Sequence, residues 1–531
     1  MSQPAHRKPD PVPLRRPGMP LRLRFAIATG DLRRLGQNET VRGSAWGRSR
    51  ISRSYELQFD TPALALRDCG VALGLRRVSG AWTQVLIEEG PRGSGAHAYE
   101  WPVRRQALDL SLLRDTPPAK VFRKKRIRGG LAAVFSIRLR CKAWLLKLDG
   151  GATVGLHLDS GEIAGGGRRE QIRDLSIEPI AGDPASAYGL ALELMDAVAL
   201  RLEPRSVTER GYRLSSGKPE PPRKAVRPAL TPDMTPVEAL QRIGATCVGQ
   251  IQANEAGFLE GEDPEYLHQL RVGWRRLRSA LSMLRDPDWK KALDPLRPDL
   301  RWLSRSLNTA RNWDVFAIEI LPSVLRGLSR KADPSRSREL TALRRRCNRM
   351  RERYGRTARD AVRSERYQRL QLKLARLLAA PAVSPPAENL GGAQHSARDL
   401  AGAALQRRDR KLRKLGRHVV TASAADRHQV RIEAKKLRYT SEFFVSLFSR
   451  KRAKRYATRL ADLQEVLGAA NDAVNGAEMI AEAAHSGRVP LHGNAVELAA
   501  AWLAAVEAEK LSRLRKSWAR FSRQKPFWTG A

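Results

Sequence analysis

The second half of this chain is written twice. The segment from Leu267, LHQLRVGWRRLRSAL, returns from Arg427 as RHQVRIEAKKLRYTS. The two copies pair His268 with His428, Arg271 with Arg431, Arg275 with Lys435, Arg276 with Lys436 and Arg278 with Arg438, always 160 residues apart (268 to 428). The same separation holds further on, where LSRSLNTARNWD from Leu303 lies over LQEVLGAANDAV from Leu463. There Leu307 matches Leu467, and Arg311 and Asn312 match Asn471 and Asp472. Two segments in one register predict a duplicated helical unit of about four helices per half.

Helical geometry assigns the residues of each copy. At about 100° per residue, Leu267, Leu270, Trp274, Leu277, Leu281 and Leu284 fall on one seam. His268, Arg271, Arg275 and Arg278 form a row beside it, with Arg276 off the row's centre. In the second copy the seam is Val430, Ala434, Leu437, Ser441 and Phe444, and the row is His428, Arg431, Lys435 and Arg438. A solvated basic helix face normally carries acids four residues from its cations. These rows lack them, apart from Glu442 after Arg438. Cations repeated at successive turns suit a linear polyanion, whose charges come at intervals too. If the two halves face each other, both rows line one groove.

Composition agrees. The chain has 531 residues, with 97 Lys and Arg against 55 Asp and Glu, a formal net charge of +42 that calls for an anionic partner. Cys69, Cys141, Cys247 and Cys347 are far apart and show no zinc-ligand spacing or disulfide framework. No run of about 20 apolar residues occurs, and the N-terminal stretch lacks the apolar core of a signal peptide. No membrane insertion is expected, and a soluble cytoplasmic protein is.

Before the repeat, residues 21–178 alternate in short segments such as AWTQVLIEE and AAVFSIRLR, the period-2 pattern of an antiparallel sheet. A helix over residues 187–202 is expected to close this region. The predicted class is therefore α+β multidomain: an antiparallel β-barrel or tunnel, then an all-α domain. The expected divisions are a disordered lead-in (1–18), the β-rich domain (19–214), a Pro-rich linker (215–234), the helical domain (235–516) and a basic tail (517–531).

On HQLRVGWRRLRSAL, LNTARNWDVF, HQVRIEAKKLRY and LQEVLGAANDA, the helical part resembles the CHAD family, the conserved-histidine α-helical domain that binds inorganic polyphosphate. The resemblance implies two four-helix bundles related by a pseudo-twofold. It implies polyphosphate contacts from His268, Arg271, Arg275, Arg276, Arg278, Arg311, His428, Arg431, Lys435, Lys436, Arg438 and Tyr439. Asp314, Asn471 and Asp472 match its second motif, where fixing the basic side chains is as reasonable a role as touching ligand. Association with cytoplasmic polyphosphate granules is the cellular expectation.

The N-terminal part resembles the CYTH family of triphosphate-tunnel proteins on FDTPALALRDCGVALGLRR, VFRKKRIR, LDSGEI and LALELMDAVALRLEPRSVTERGY. Such enzymes need acids to hold Mg²⁺ or Mn²⁺ and cations to hold the triphosphate. Here the family's opening ExExK falls on Pro20, Arg22 and Arg24, and other expected cations are Gly74, Ile87 and Val207. Glu100, Asp174 and Glu178 remain of the acids, and Ser176 stands between the last two. No catalytic residue and no cofactor is therefore assigned, with Mg²⁺ or Mn²⁺ required only if the tunnel is active. Arg24, Arg76, Arg123, Lys125, Arg138 and Arg140 are candidates for residual anion binding in the tunnel.

Non-catalytic polyphosphate binding is thus the leading expectation. A metal-dependent inorganic triphosphatase is the alternative. Nucleic-acid binding ranks third, since the helical rows lack interleaved aromatics apart from Tyr439, although nonspecific association at low salt follows from the charge.

Overall fold

A computed structural model describes residues 22–89, 96–283, 287–329, 334–379, 396–487 and 494–529. The expected lead-in, Pro20 and Leu284 lie outside the described residues. The chain forms two units, and the division is not contiguous. Gln371–Pro381 joins Met1–Glu220 in the first, while Pro221–Leu370 and Ala382–Ala531 make the second.

The first unit is built on nine strands: β1 (Leu23–Ile27), β2 (Arg50–Asp60), β3 (Val71–Val78), β4 (Ala81–Glu89), β5 (Ala96–Val103), β6 (Ala132–Lys147), β7 (Thr153–Gly165), β8 (Arg168–Ala181) and β9 (Leu200–Leu202). They form one sheet in the order β5-β4-β3-β2-β6-β7-β8-β1-β9, antiparallel at every pairing. Two hairpins turn on two residues of positive φ, Ser79-Gly80 and Gly166-Gly167, the conformation that matches the strands' own twist. Helix α1 (Ala185–Ala197) covers one face through Leu190, Ala191 and Leu194 against Phe25, Leu175 and Ile177, and Leu372 is buried in the same core. Helix α2 (Val207–Ser216) covers the other face, setting Tyr212 against Phe135, Ile137, Ile163 and Ile172.

The closing helix is shorter than its sequence predicts. It stops at Ala197, Val198 turns extended (φ −145°, ψ 148°), and Leu200–Leu202 pairs with β1 as an edge strand. A β-branched residue followed by alternating leucines and Pro204 favours that strand once β1 offers it an open edge.

In the second unit α3 (Pro236–Glu260) and α4 (Pro264–Leu281) form a hairpin that α5 (Arg297–Val315) and α6 (Pro334–Arg363) continue. After α7 (Glu365–Ala379), the second half repeats the plan with α8 (Ala397–Gly416), α9 (Ala424–Phe444), α10 (Arg450–His485) and α11 (Asn494–Ser512). Side-chain caps start the paired helices. Asp263 accepts from the Glu265 N–H and Ser423 from the Asp426 N–H, again 160 residues apart (263 to 423), and each such cap is worth about 1 kcal/mol. The predicted seams are the cores: Leu267, Leu270, Trp274, Leu277 and Leu281 are buried, as are Val430, Ala434, Leu437, Ser441 and Phe444. Helices α4 and α9 pack on each other, which brings the two basic rows together.

The stretches expected as a linker and a basic tail are both packed. In the presumed linker the Arg223 N–H donates to the Asn254 side chain, and the Val226 carbonyl accepts from Arg276. The presumed basic tail forms α12 (Leu514–Ser522) and an aromatic cluster in which Phe521, Phe527 and Trp528 meet Tyr456. Polar contacts fix the first segment, and in the second the aromatic side chains decide where the chain lies. Among the described residues no helix is long and apolar enough to cross a membrane.

The α3–α4 hairpin depends on Gly257, where a Cβ would run into the Tyr266 ring. Gly257→Ala is expected to destabilise the helical unit by about 1–3 kcal/mol through overpacking, seen as a lower midpoint in thermal or urea unfolding.

Candidate anion-binding site

The two rows meet at a cavity of about 430 Å³ lined by residues of α4, α5, α9, α10 and the π turn Phe316–Ile320 that extends α5. His268, Arg271, Arg275, Arg311, Arg431, Lys435, Arg438 and Tyr439 all border it. So do two acids, Glu465 and Asp472. Lining by side chains of both sequence copies is what a pseudo-twofold arrangement of the halves requires.

Each cation is held differently. The Arg271 Nε donates to Asn308 Oδ1 (2.6 Å), and an Arg431 Nη donates to Asp472 Oδ1 (3.2 Å). Arg311 is 3.4 Å from Glu319 of the π turn. The Arg275 and Arg438 guanidiniums lie 5.3 Å and 5.2 Å from the centre of the buried Tyr439 ring. Lys435 has no ion pair among the described residues and is crowded by Arg275, Arg431 and Arg271.

The electrostatics follow from that crowding. Burial, then the positive charges of Arg275, Arg431 and Arg271, push the Lys435 amine down to about 6, against only Asp472 on the other side. His268 falls to about 4 through burial and Arg311. Burial and Arg275 lower Arg271 as well. The buried His268 Nδ1, Arg431 Nε and Asn471 Nδ2 have no hydrogen-bond partner among the described residues. Buried cations without acids are costly, so the site is assembled against its own repulsion and gains most from an anion.

Four of the predicted residues stand elsewhere. Arg276 is 1 % exposed and donates to Gln250 Oε1 (3.1 Å) and the Val226 carbonyl, with its guanidinium over Phe443. Lys436 pairs with the buried Glu433 (2.7 Å), which also holds Arg408 and Lys411. Arg278 donates to Ser304, and the His428 ring meets Asn471. Both residues of the Arg276/Lys436 pair therefore brace the fold. Arg276→Met is expected to lower stability by about 1–3 kcal/mol, because Gln250 and a carbonyl lose a buried donor. Lys436→Gln and folded Arg276→Met should both keep the parent's affinity for anions, as a titration would read.

Asn308 and Ser304 escaped the sequence reading. They oppose Gly468 and Gln464 in the other copy, so the repeat carries no signal for them.

Residues 242–481 match the family model described as the CHAD domain. The chain belongs to the CHAD family. A solved CHAD domain from the plant Ricinus communis is 31% identical over 57% of this chain and 97% of its own, with a TM-score of 0.48. PptA from Streptomyces chartreusis is 20% identical over 55% of this chain and 99% of its own, with a TM-score of 0.40. In the N-terminal region, an adenylyl-cyclase-like protein from Hippeastrum, described as having a dominant triphosphatase activity, is 16% identical. That likeness covers 38% of this chain and 97% of the other, at a TM-score of 0.24. The CHAD match contains the whole basic cavity, from His268 to Met479.

Outside the CHAD domain, the sheet gathers part of the expected tunnel set on one face. Arg76 lies there between Glu56 (2.8 Å) and Glu100 (2.9 Å). Arg24 donates to the Arg205 carbonyl, and burial lowers its pKa, with Arg22 adding to the effect. Asp174 is 1 % exposed and held by Arg210 at 2.7 Å, yet burial still raises its pKa. Glu178 lies 4.0 Å from His157. Mg²⁺ or Mn²⁺ does not fit this set. Glu100 and Asp174 are taken by arginines, and no group of three or more His, Cys, Asp or Glu among the described residues could hold a metal ion. Arg138 and Arg140 are not in the set at all, because they alternate with Ile137 and Leu139 and so point to the opposite face. Arg123 and Lys125 are exposed at short helical turns rather than on a strand.

Proposed function

We propose that the CHAD domain binds inorganic polyphosphate in the cavity between the two basic rows, without turning it over, and that the chain associates with polyphosphate granules through it. The observation that carries this reading is the convergence of six cationic side chains from α4, α5 and α9, among them a half-buried lysine with no ion pair among the described residues. Guanidiniums can each grip two oxygens of a phosphate, and a lysine contributes a point charge between them. A run of phosphates meets successive helix turns, whereas one compact anion would leave most of the cations unpaired. Of the two lining acids, Asp472 pairs with Arg431, and both limit the net charge.

Titration of the full chain with polyphosphates of increasing length, and with orthophosphate, tests the reading. Affinity should climb with chain length until the rows are filled and should fall steeply with salt. Equal affinity for long polyphosphate and orthophosphate at matched phosphate concentration would sink it.

A further inference from the structure

The sheet carries a second cationic surface, on the face opposite Glu56, Arg76, Glu100 and Asp174. Strand register sets it out in rows. Trp82, Arg77, Tyr55, Arg138 and Glu162 stand side by side on β4, β3, β2, β6 and β7. Two residues along, Arg53, Arg140, Ser160 and Arg173 make the next row on β2, β6, β7 and β8. Ile51 and Lys142 begin a third. Arg53, Arg77, Arg138 and Arg140 are exposed, and Tyr55 and Trp82 are half-buried between them.

Two features set this strip apart from an ordinary solvated face. Arg53 and Arg140 are direct cross-strand partners, a like-charge pairing that costs the sheet stability. The acid of the first row does not relieve it, since Glu162 is engaged by Arg169 at 2.9 Å. The cations are also interleaved with rings. Tyr55 meets Trp82 edge-on at 6.2 Å, Arg138 lies 5.8 Å from the Tyr55 ring centre, and Arg77 lies 5.9 Å from that of Trp82.

We propose that this strip of the sheet is a binding site for single-stranded nucleic acid. Its arginines would track the phosphates, and Tyr55 and Trp82 would take unstacked bases on their faces. Four inter-strand steps of about 4.8 Å give a platform of about 19 Å, room for several nucleotides. Rings add nothing for a polyphosphate chain, which has no planar group. A duplex hides its base faces from them. The site is independent of whatever fills the helical cavity.

The test uses the full chain with a fluorescent uridine oligomer, an abasic oligomer of the same length, and long polyphosphate. Arg53→Gln with Arg140→Gln should weaken the uridine oligomer about tenfold and flatten its salt dependence by about 0.7 per lost phosphate contact, leaving polyphosphate affinity unchanged. Tyr55→Leu keeps every charge and should weaken the uridine oligomer about fivefold while sparing the abasic one. Circular dichroism of each variant confirms the fold. Parent affinity for the uridine oligomer in the double variant would overturn the site, as would an equal loss of polyphosphate binding. Equal effects of Tyr55→Leu on the two oligomers would overturn the assignment to bases.

Discussion

Reversing two charges, Arg275→Glu together with Lys435→Glu, is expected to lower affinity for long polyphosphate by at least about 100-fold, because each lost charge-assisted hydrogen bond is worth about 1.5–3 kcal/mol. The two residues belong to different sequence copies and border the same cavity. Their replacement turns two attractive contacts into two repulsive ones. Folding should survive, since the parent already crowds Lys435 against Arg275, Arg431 and Arg271, and the substitutions relieve that crowding. Calorimetric titration reads the affinity, and thermal unfolding shows that the variant is intact. A folded double variant that binds as the parent does would remove the rows from the site.

Affinity is also expected to depend steeply on pH. Lys435 has its pKa lowered from 10.5 to about 6, so above that value the free cavity holds a neutral amine. A bound polyanion favours the ammonium, so binding takes up a proton, and affinity should rise by up to about tenfold for each unit of pH from 8 down toward 6. Below about 6 the free lysine is already charged, and its contribution levels off. Calorimetry at pH 8 in two buffers of different ionisation enthalpy should show the proton entering, and Lys435→Arg should remove most of that uptake. The sign for stability runs the other way. Between about 6 and 10.5 the unfolded chain binds more protons at this lysine than the folded one, so through this residue the free protein gains stability as pH rises. Polyphosphate affinity that stays flat from pH 8 to 6 would contradict the role given to Lys435.

Much of the helical half could be read from its letters, because duplication repeats the signal. Seam, row and caps recur at one separation, and a helix of fixed period turns that separation into geometry. What the period could not give was which side of a helix its neighbours would cover. Arg276 lies only about 100° from Arg275, yet one is buried against Phe443 and the other borders the cavity. That difference belongs to the partner helix. In the sheet, the arginines Arg138 and Arg140 read as tunnel residues by resemblance, but parity along β6 sends them outward. The edge strand Leu200–Leu202 was invisible for a related reason, since its partner β1 lies far away in sequence. Local pattern specified the elements, and contacts from distant segments specified their faces.

The non-contiguous first unit has a consequence for synthesis. Ribosomes deliver the nine strands and α1 first, but Leu372, which completes the apolar core beside Phe25 and Leu194, follows more than 150 residues behind Glu220. Until it emerges, that sheet stands with a gap in its packing, of the kind that chaperones hold and that aggregation exploits. A cut at the Pro-rich segment after Glu220 would make the gap permanent. Fragments meant to isolate the sheet should therefore carry Gln371–Pro381 back in, through a short tether.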